Sequence, residues 1–258
     1  MLVLLPPSEG KAESGSGAAL DLGTLWLPEL NPAREQVLDA LVTLSAGDGA
    51  QALGVLGLSQ GQAGELARNA RLRTAGTLPA AELYTGVLYD NLDLAGLSPA
   101  ARARADAALL VFSGLWGAVR ITDRIPPYRL SGGVKLPPLG GLGAFWRKRI
   151  GGLPDDGGLV LDLRSTAYAA LWRPDRETAA RTATVRVLHE QPDGSRKVVS
   201  HFNKATKGRL VRELLESGAR PGSPAELADA LRESGFKVEA DAPTAGKPWA
   251  LDVVVDHV

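Results

Sequence analysis

The chain has 258 residues, 45% of them hydrophobic, which is enough to bury a large core in one or two globular domains. It has no cysteine, which excludes disulfides, thiolate zinc sites and cysteine nucleophiles. Its 29 Lys and Arg residues balance its 29 Asp and Glu residues, and its three histidines lie too far apart for a local metal-binding motif, so we expect neither a metal nor a cofactor.

The first element is an apolar run at residues 1–5 that ends at two prolines. The run is far too short to span a bilayer and has no basic residues in front of it, so we expect no membrane partner and a cytoplasmic protein. We interpret residues 2–5 as a buried first strand. Lys11 follows in a Gly-Lys pair that lacks the spacing of a phosphate-binding Walker loop, so taken alone it is a surface lysine.

Three helices are predicted next. The first begins at Asn31, the second covers residues 51–56, and the third begins at Ser59. The last two flank a Leu-Gly-Leu-Ser turn, and this pattern, at about residues 50–72, resembles a helix-hairpin-helix. In such an element Gly57, Ser59 and the following helix N-terminus would hold a DNA phosphate. Short helices joined through glycine are also common as plain packing units.

A second buried strand is predicted where an apolar run at residues 107–112 leads into Ser113 and Gly114. Three arginines follow this small-residue turn, namely Arg120, Arg124 and Arg129. Glycine lets a backbone approach a ligand closely, and the planar donors of arginine suit phosphate or carboxylate. The stretch therefore predicts an anion-binding edge at a strand end, although a core strand followed by solvated arginines explains each residue taken singly.

Residues 158–163 form a third apolar run, and it also ends in polar residues, Arg164 and Ser165, with Tyr168 close behind. The Ser165 hydroxyl suits either a ligand site or a helix cap. Because the carboxyl ends of parallel strands meet at one edge of a sheet, these residues and those after the preceding strands suit a shared ligand pocket.

The runs at residues 182–190 and 197–202 flank an Asp-Gly pair, which predicts a hairpin. The helix that follows carries three cations, Lys204, Lys207 and Arg209. Cations in a first helical turn oppose the helix dipole. Their presence there indicates that an anion lies nearby.

Basic residues are concentrated in two blocks. Residues 101–150 contain nine basic residues against two acidic ones, and residues 196–212 contain six basic residues and no acid. A neutral protein with segregated charge can present a strongly positive surface, which is the electrostatic signature of a polyanion binder. If the two blocks face different directions, they are simply solvated, and the sequence leaves both possibilities open.

Together these elements predict an α/β fold of mixed α+β type. We expect a single domain over residues 1–258, with a mixed central sheet surrounded by helices and a closing hairpin at residues 236–239 and 249–255. No period of 20 to 50 residues repeats, so a solenoid is not indicated.

Short motifs lie in order along nearly the whole chain: LLPPSEGK at 4–11, LYTG at 83–86, FSGLWGAVR at 112–120, PYRL at 127–130, FW at 145–146, LDLRSTAY at 161–168 and NKATKGR at 203–209. In this combination the chain resembles the YaaA family of bacterial peroxide-stress resistance proteins. The resemblance implies one α/β domain of unusual topology with a helix-hairpin-helix element. It also implies double-stranded DNA binding in a basic cleft, and protection against hydrogen peroxide linked to lower free intracellular iron.

One motif departs from the family pattern. Where family members often read Asn-Leu-Ala-Ser with an acidic residue before the tyrosine, this chain has Asp162, Arg164 and Ala167 at the corresponding positions. A role tied to that asparagine or acid is therefore not carried over.

The first functional hypothesis is a DNA-binding stress protein that acts as a monomer. Contacts to phosphates neutralise charge without reading bases, so binding to double-stranded DNA should have low sequence specificity. The residues predicted to contact DNA or another anion are Lys11, Gly57, Ser59, Ser113, Gly114, Arg120, Arg124, Tyr128, Arg129, Arg164, Ser165, Lys204, Lys207 and Arg209.

The alternative is an enzyme that acts on a nucleotide or a DNA lesion, with a nucleotide-like anion as its ligand. The candidates for catalysis are Lys11, Ser113, Tyr168 and Lys207, since a lysine whose pKa is lowered by neighbouring cations can form a Schiff base. Neither the fold nor the resemblance fixes a reaction. A third possibility, direct iron sequestration, would need a carboxylate site because cysteine is absent, so we expect the effect on iron to be indirect.

Overall fold

The architecture was determined from a computed structural model that describes residues 1–154, 157–191, 194–198, 200–241, 243 and 246–255. Asp193 of the Asp-Gly pair in the predicted hairpin lies outside these residues, as does His257. Among the described residues, no helix combines the length and the apolar character that crossing a bilayer requires.

Most strands belong to one central sheet. In chain order they are β1 (Leu2–Leu5), β2 (Leu78–Pro79), β3 (Leu109–Ser113), β4 (Gly117–Arg120), β5 (Arg124–Ile125), β6 (Lys135–Leu136), β7 (Gly140–Gly141), β8 (Val160–Asp162), β9 (Thr182–Glu190), β10 (Arg196–Lys197), β11 (Lys237–Asp241) and β12 (Trp249–Val255). The sheet has eight strands in the order β11-β12-β9-β8-β1-β3-β4, with β10 paired to β9. Two small ribbons, β2 with β5 and β6 with β7, stand apart.

Helices surround this sheet. They are α1 (Asn31–Ala46), α2 (Gly49–Leu56), α3 (Gly64–Ala70), α4 (Ala80–Leu83), α5 (Val87–Leu92), α6 (Pro99–Ala108), α7 (Leu142–Arg147), α8 (Thr166–Ala169), α9 (Arg176–Ala180), α10 (Ser200–Ser217) and α11 (Pro224–Glu233). Ser98 and Ser223 accept backbone N–H bonds at the starts of α6 and α11, each followed by proline at the first helical position. The predicted mixed α/β fold with a central sheet surrounded by helices is confirmed.

The five central strands of the sheet, β12, β9, β8, β1 and β3, run parallel to one another. Their carboxyl ends therefore lie at one edge, as predicted for β1, β3 and β8. The strands β1 and β3 are almost entirely buried and apolar, because helices cover both faces of a parallel sheet. The outer strands β4 and β11 are antiparallel to their neighbours.

The region around the second basic block differs from the sequence prediction. The strand expected at residues 197–202 is only Arg196–Lys197, which pairs with β9, and α10 already begins at Ser200. The helix α10 packs against α5, α6 and β9, and these tertiary contacts stabilise a helix where the local sequence pattern favoured a strand.

The two helices expected to form a helix-hairpin-helix are present as α2 and α3, but that element is not confirmed. Gly57 ends α2 in the left-handed conformation at φ +66°, and a 3₁₀ turn at Gln60–Gln62 precedes α3. The Gly57 N–H bonds to carbonyls of its own helix, and the Ser59 N–H bonds to Gln62 Oε1 at 3.0 Å. These two amides are used within the turn, so they are not free to hold a phosphate.

The glycine of the NKATKGR motif sets how closely α10 approaches α5. A Cβ placed on Gly208 would lie 2.3 Å from the carbonyl oxygen of Leu88 and 2.9 Å from Cβ of Asn91. Backbone is on the other side of the contact, so it cannot give way as a side chain would. Gly208 thus fixes α10 against the helix that carries Tyr89.

We predict that Gly208→Ala lowers the free energy of unfolding by roughly 1–3 kcal/mol, because the methyl group overpacks the α10–α5 contact. Chemical denaturation monitored by circular dichroism measures this loss. Gly54→Ala is the matched control, since Gly54 is also helical but has no atom within 4 Å of the added Cβ. It should be neutral or stabilising by up to about 1 kcal/mol, and an equal loss in both variants would contradict the argument.

Candidate functional site

The candidate site lies at the carboxyl edge of the parallel strands. Lys11 follows β1, Ser113 is the last residue of β3, and Ser165 follows β8 at the start of α8. The strands β8, β1 and β3 are direct neighbours in the sheet. Their polar end residues therefore share one edge, as the sequence predicted.

A chain of three buried hydroxyl groups forms the base of this site. Ser113 Oγ lies 2.6 Å from the Tyr128 hydroxyl, which lies 2.9 Å from the Tyr84 hydroxyl. Ser113 Oγ also accepts hydrogen bonds from the N–H groups of Leu115 and Trp116, at 3.1 and 3.2 Å. Burial raises the pKa of Tyr84 and of Tyr128 well above the ordinary value, so both hydroxyls stay protonated and act as neutral hydrogen-bonding groups.

All four tyrosines of the chain gather here. Tyr89 stacks on Tyr84 with ring centroids 5.5 Å apart and donates from its hydroxyl to the Pro6 carbonyl at 2.8 Å. The Tyr168 ring lies so close to Gly132 that a Cβ there would come within 2.8 Å of it. Burial raises the pKa of Tyr168 as well, so this hydroxyl also stays protonated. Concentration of a scarce aromatic residue at one place is typical of a binding site.

Lys11 lies over these rings. Its Nζ donates to the Ser8 carbonyl at 2.6 Å and sits 4.6 Å from the centroid of the Tyr128 ring and 5.6 Å from that of Tyr84. Burial, and after it the positive charge of Arg129, lower the pKa of Lys11 to about 7. Glu65 and Glu9 oppose this shift without cancelling it. At neutral pH a large share of this amine is therefore uncharged.

Arg129 stands beside Lys11 with its side chain 20% exposed. Its guanidinium pairs with the Glu9 carboxylate at 3.1 Å and donates to the Glu9 carbonyl at 3.3 Å. Its backbone is held from α3, because the buried Asn69 amide donates to the Arg129 carbonyl and accepts from the Arg129 N–H, both at 2.8 Å. The backbone of Arg129 is thus fixed, and its guanidinium is partly exposed.

An open cleft of about 390 Å³ begins at Arg129 and Glu9. Its walls include Gly57 at the end of α2, Ser131, and the exposed Lys135 of β6. The α2–α3 turn and the motif around Tyr128 thus meet at one surface.

A second cleft of about 590 Å³ lies on the other flank of α3, where Arg68 and Arg71 line it together with residues 13–15 and 74–76. Arg68 also pairs with Glu65 on its own helix. The segment of α3 and its C-cap thus contributes two arginines to this cleft, and its Asn69 holds the arginine of the first cleft.

Lys207 lies at the neighbouring strand end. Its Nζ donates to the Leu163 carbonyl at 3.4 Å. Burial lowers the pKa of Lys207, although the negative charge of Asp162 acts to raise it. Lys204, one turn earlier on α10, is exposed. Arg209 points away from both and lines a separate pocket with Glu213. The three cations of the α10 motif therefore do not act at one place.

In three cases the predicted arginines line neither of these two clefts. Arg120 pairs with Leu110 at the opposite end of β3, and its guanidinium lies over the Trp26 ring at 5.4 Å. Arg124 donates to the Thr77 carbonyl at 3.1 Å in the β2–β5 ribbon. An antiparallel return strand carries side chains away from the edge where the preceding strand ended, which is why Arg120 lies far from Ser113.

Arg164 is the third case, because its side chain is only 1% exposed. It binds both oxygens of Asp162 at 2.8 and 2.7 Å, donates to the Tyr168 and Trp172 carbonyls, and stacks on the Phe112 ring at 4.2 Å. All three guanidinium nitrogens therefore donate inside the protein. At the positions where this motif departs from the family pattern, the chain thus has a carboxylate, Asp162, and a guanidinium, Arg164, whose charges neutralise each other.

Two of the predicted site residues make no contact that points to a ligand. The Gly114 carbonyl accepts from the Trp146 indole at 2.8 Å, and a Cβ on Gly114 would lie 3.2 Å from the backbone of Ser131, so Gly114 has a packing role. The Ser165 side chain is exposed and makes no capping bond to α8.

The sequence analysis missed Tyr84, Tyr89, Asn69 and Glu9 as parts of this site. The small number of tyrosines in the chain was a usable signal for the first two. Within the described residues, no group of three or more His, Asp or Glu side chains is placed to hold a metal ion.

Comparison with known proteins places the chain among its relatives. The family described as "Peroxide stress protein YaaA" matches residues 1–242. The chain belongs to this family. It is 64% identical to a UPF0246 protein of Streptomyces coelicolor over the full length of both chains. It is 43% identical to a UPF0246 protein of Corynebacterium efficiens, covering 99% of this chain and 100% of the relative. A UPF0246 protein of Salinispora tropica is 30% identical, with 96% and 91% covered. Membership of this family is consistent with a stress-related role.

We predict that Arg164→Met lowers the free energy of unfolding by roughly 3–5 kcal/mol, because the guanidinium is only 1% exposed and its loss leaves Asp162 and the Tyr168 and Trp172 carbonyls without their buried partner. Arg186→Met is the matched control, since Arg186 also binds both oxygens of an aspartate, Asp252, but is 59% exposed. Its loss should cost less than about 1 kcal/mol. Similar denaturation midpoints for the two variants would show that burial of the pair does not matter.

We also predict that Lys11→Met raises the melting temperature. Free lysine titrates near 10.5 and folded Lys11 near 7, so between these values the unfolded chain binds one more proton and the wild type gains stability as pH rises. Below pH 7 the full penalty of burying the charge is present. The variant should therefore melt higher at pH 6–7, by about 2–4 °C for each kcal/mol recovered, and the gain should shrink toward pH 10. Lys148→Met, at an exposed lysine, should show no such pH dependence.

Proposed function

We propose that this protein protects against hydrogen peroxide by binding the backbone of double-stranded DNA, with little sequence specificity, at the surface formed by the two clefts beside α3. The observation that carries the proposal is the double role of α3. Arg68 of this helix and Arg71 at its C-cap line one cleft, and Asn69 holds Arg129 at the mouth of the other. Four cations, Arg68, Arg71, Arg129 and Lys135, thus line clefts built on one short helix and its neighbours.

Charge and shape both support a phosphate backbone as the ligand. The clefts are open and partly lined with charged groups, so a phosphate backbone can reach them. Arginine donors match phosphate oxygens in a bidentate manner. Glu9 and Glu65 pair with arginine near the surface, where an ion pair contributes about 1 kcal/mol or less and a phosphate can take the place of the carboxylate. Glu13 also lines the second cleft.

The proposed surface differs from the one that the sequence suggested. Arg120, Arg124 and Arg164 are engaged elsewhere, so they are not part of it. The cations of α3 replace them. The cations that line the clefts, Arg68, Arg71, Arg129 and Lys135, suit contacts to phosphate, which carry no base preference, and this supports binding without sequence preference.

We predict that duplex DNA binding weakens steeply with salt. Arg68→Gln and Arg71→Gln should each weaken binding and reduce the slope of log affinity against log salt, by about 0.9 for each phosphate that is no longer neutralised. Fluorescence anisotropy with labelled duplexes of unrelated sequence, measured across a series of salt concentrations, determines both the affinity and the slope.

Arg102→Gln is the matched control for Arg68→Gln. Both arginines are partly exposed and pair with an acid on their own helix, Arg68 with Glu65 and Arg102 with Asp106, but Arg102 lines neither cleft. Its replacement should leave the slope unchanged. An equal effect of Arg102→Gln would place the binding surface elsewhere, and an affinity that does not change with salt would contradict the proposal.

A further inference from the structure

Lys11 is buried without the carboxylate partner that a stabilising buried lysine would have. Arg164, a second buried cation of this edge, has a carboxylate partner and donates from all three of its nitrogens. Lys11 has one carbonyl acceptor, Ser8, and two aromatic faces, and among the ion pairs of the described residues none includes it. A lysine without a carboxylate partner costs stability in this position. Function explains such a cost where packing does not.

The surroundings of Lys11 favour the uncharged amine. Its Nζ faces the Tyr128 ring, whose hydroxyl is held in the Ser113–Tyr128–Tyr84 chain and stays neutral. The adjacent Arg129 guanidinium adds a fixed positive charge. Aromatic walls and a neighbouring cation are the conditions under which a lysine becomes a nucleophile toward carbonyl groups.

Arg129 also supplies a place for a phosphate next to the amine. Its guanidinium is partly exposed and pairs with Glu9, whose side chain is 79% exposed, so a phosphate group can displace that carboxylate at little cost. The cleft that starts at these residues has about 390 Å³, which is within the range of small-ligand sites. An electrophile for Lys11 that carries a phosphate would therefore be oriented by Arg129.

We propose that Lys11 is the nucleophile of a carbonyl site, and that it forms an imine with the aldehyde carbon of a phosphate-bearing sugar. The nitrogen lone pair forms the C–N bond, the carbinolamine then loses its hydroxyl group as water, and the two amine protons leave with that water. Addition of water reverses both steps and returns the aldehyde and the amine. No oxidant or reductant takes part.

Two sources of such an aldehyde share this chemistry. One is the ring-opened sugar of an abasic site in DNA, a lesion that oxidative damage creates, and for this source the inference rests on the proposed function. The other is a free sugar phosphate, which needs no DNA binding. The experiment separates the two.

The test is reductive trapping. The full chain is incubated near neutral pH with borohydride and either a duplex containing one abasic site or 2-deoxyribose 5-phosphate, and the modified peptide is identified by mass spectrometry. We expect a stable secondary amine at Lys11 with at least one substrate. Lys11→Met and Lys11→Arg should abolish nearly all of the adduct, whereas Lys148→Met, at an exposed lysine outside both clefts, should keep it. The Lys11→Arg variant has no amine that can form an imine, and its DNA affinity shows whether binding survives.

Each result decides one of the two proposals. An adduct at Lys11 with the sugar phosphate and none with abasic DNA upholds the carbonyl site and argues against DNA as the source. Intact DNA binding with no adduct from either aldehyde overturns the carbonyl site and leaves the DNA-binding proposal standing. Adducts at lysines other than Lys11, or an undiminished yield in Lys11→Met, overturn the assignment of the residue.

The pH profile provides a second readout that a purely structural lysine would not give. The pKa of Lys11 is lowered to about 7, so its reactive neutral form increases through this pH and predominates at higher pH. The initial rate of adduct formation at Lys11 should follow this curve. A rate that keeps rising to about pH 10, as for a solvated lysine, would contradict the proposal.

Discussion

The hydrogen-bonded chain of Ser113, Tyr128 and Tyr84 is the constraint on which the site depends. It joins the end of β3, the segment after β5 and the end of α4, three parts of the chain that are distant in sequence. Each hydroxyl is almost completely buried, so each must find a partner or cost free energy. The same tyrosine rings form the surface under Lys11, and an isolated bridge between Lys11 and Tyr84 ties the loop after β1 to this frame.

The fold buries cations in three different ways. Arg34 is fully buried and donates to the carbonyls of Trp26, Leu27, Trp116 and Ala118, so it links α1 to the β3–β4 turn through backbone acceptors. Arg164 is neutralised by Asp162. Lys11 has neither a carboxylate nor a full set of acceptors. Burial of a charge is costly unless it is paired and hydrogen-bonded, so the chain meets that requirement at the two arginines and leaves it unmet at the lysine.

The net charge of a block of sequence did not predict which surface of the protein is basic. Within the block at 101–150, Arg120 lies at the far end of β4 and Arg124 in a separate ribbon. The basic surface beside α3 combines residues from four segments, so no window along the chain contains it. Electrostatic potential depends on distance in space, and turns reverse the direction in which neighbouring residues point.

The sequence by itself determined the buried strands β1, β3 and β8, the mixed α/β class and the family, because apolar runs and ordered motifs are local signals. It also placed Lys11 and Ser113 at one edge, since parallel strands end together. Only the tertiary structure decided that four tyrosines gather there, that Arg164 is paired with Asp162, and that α10 begins at Ser200. Those outcomes depend on contacts between residues far apart in the chain, on sheet register and on burial, and local patterns carry no information about which distant partner fills a given space.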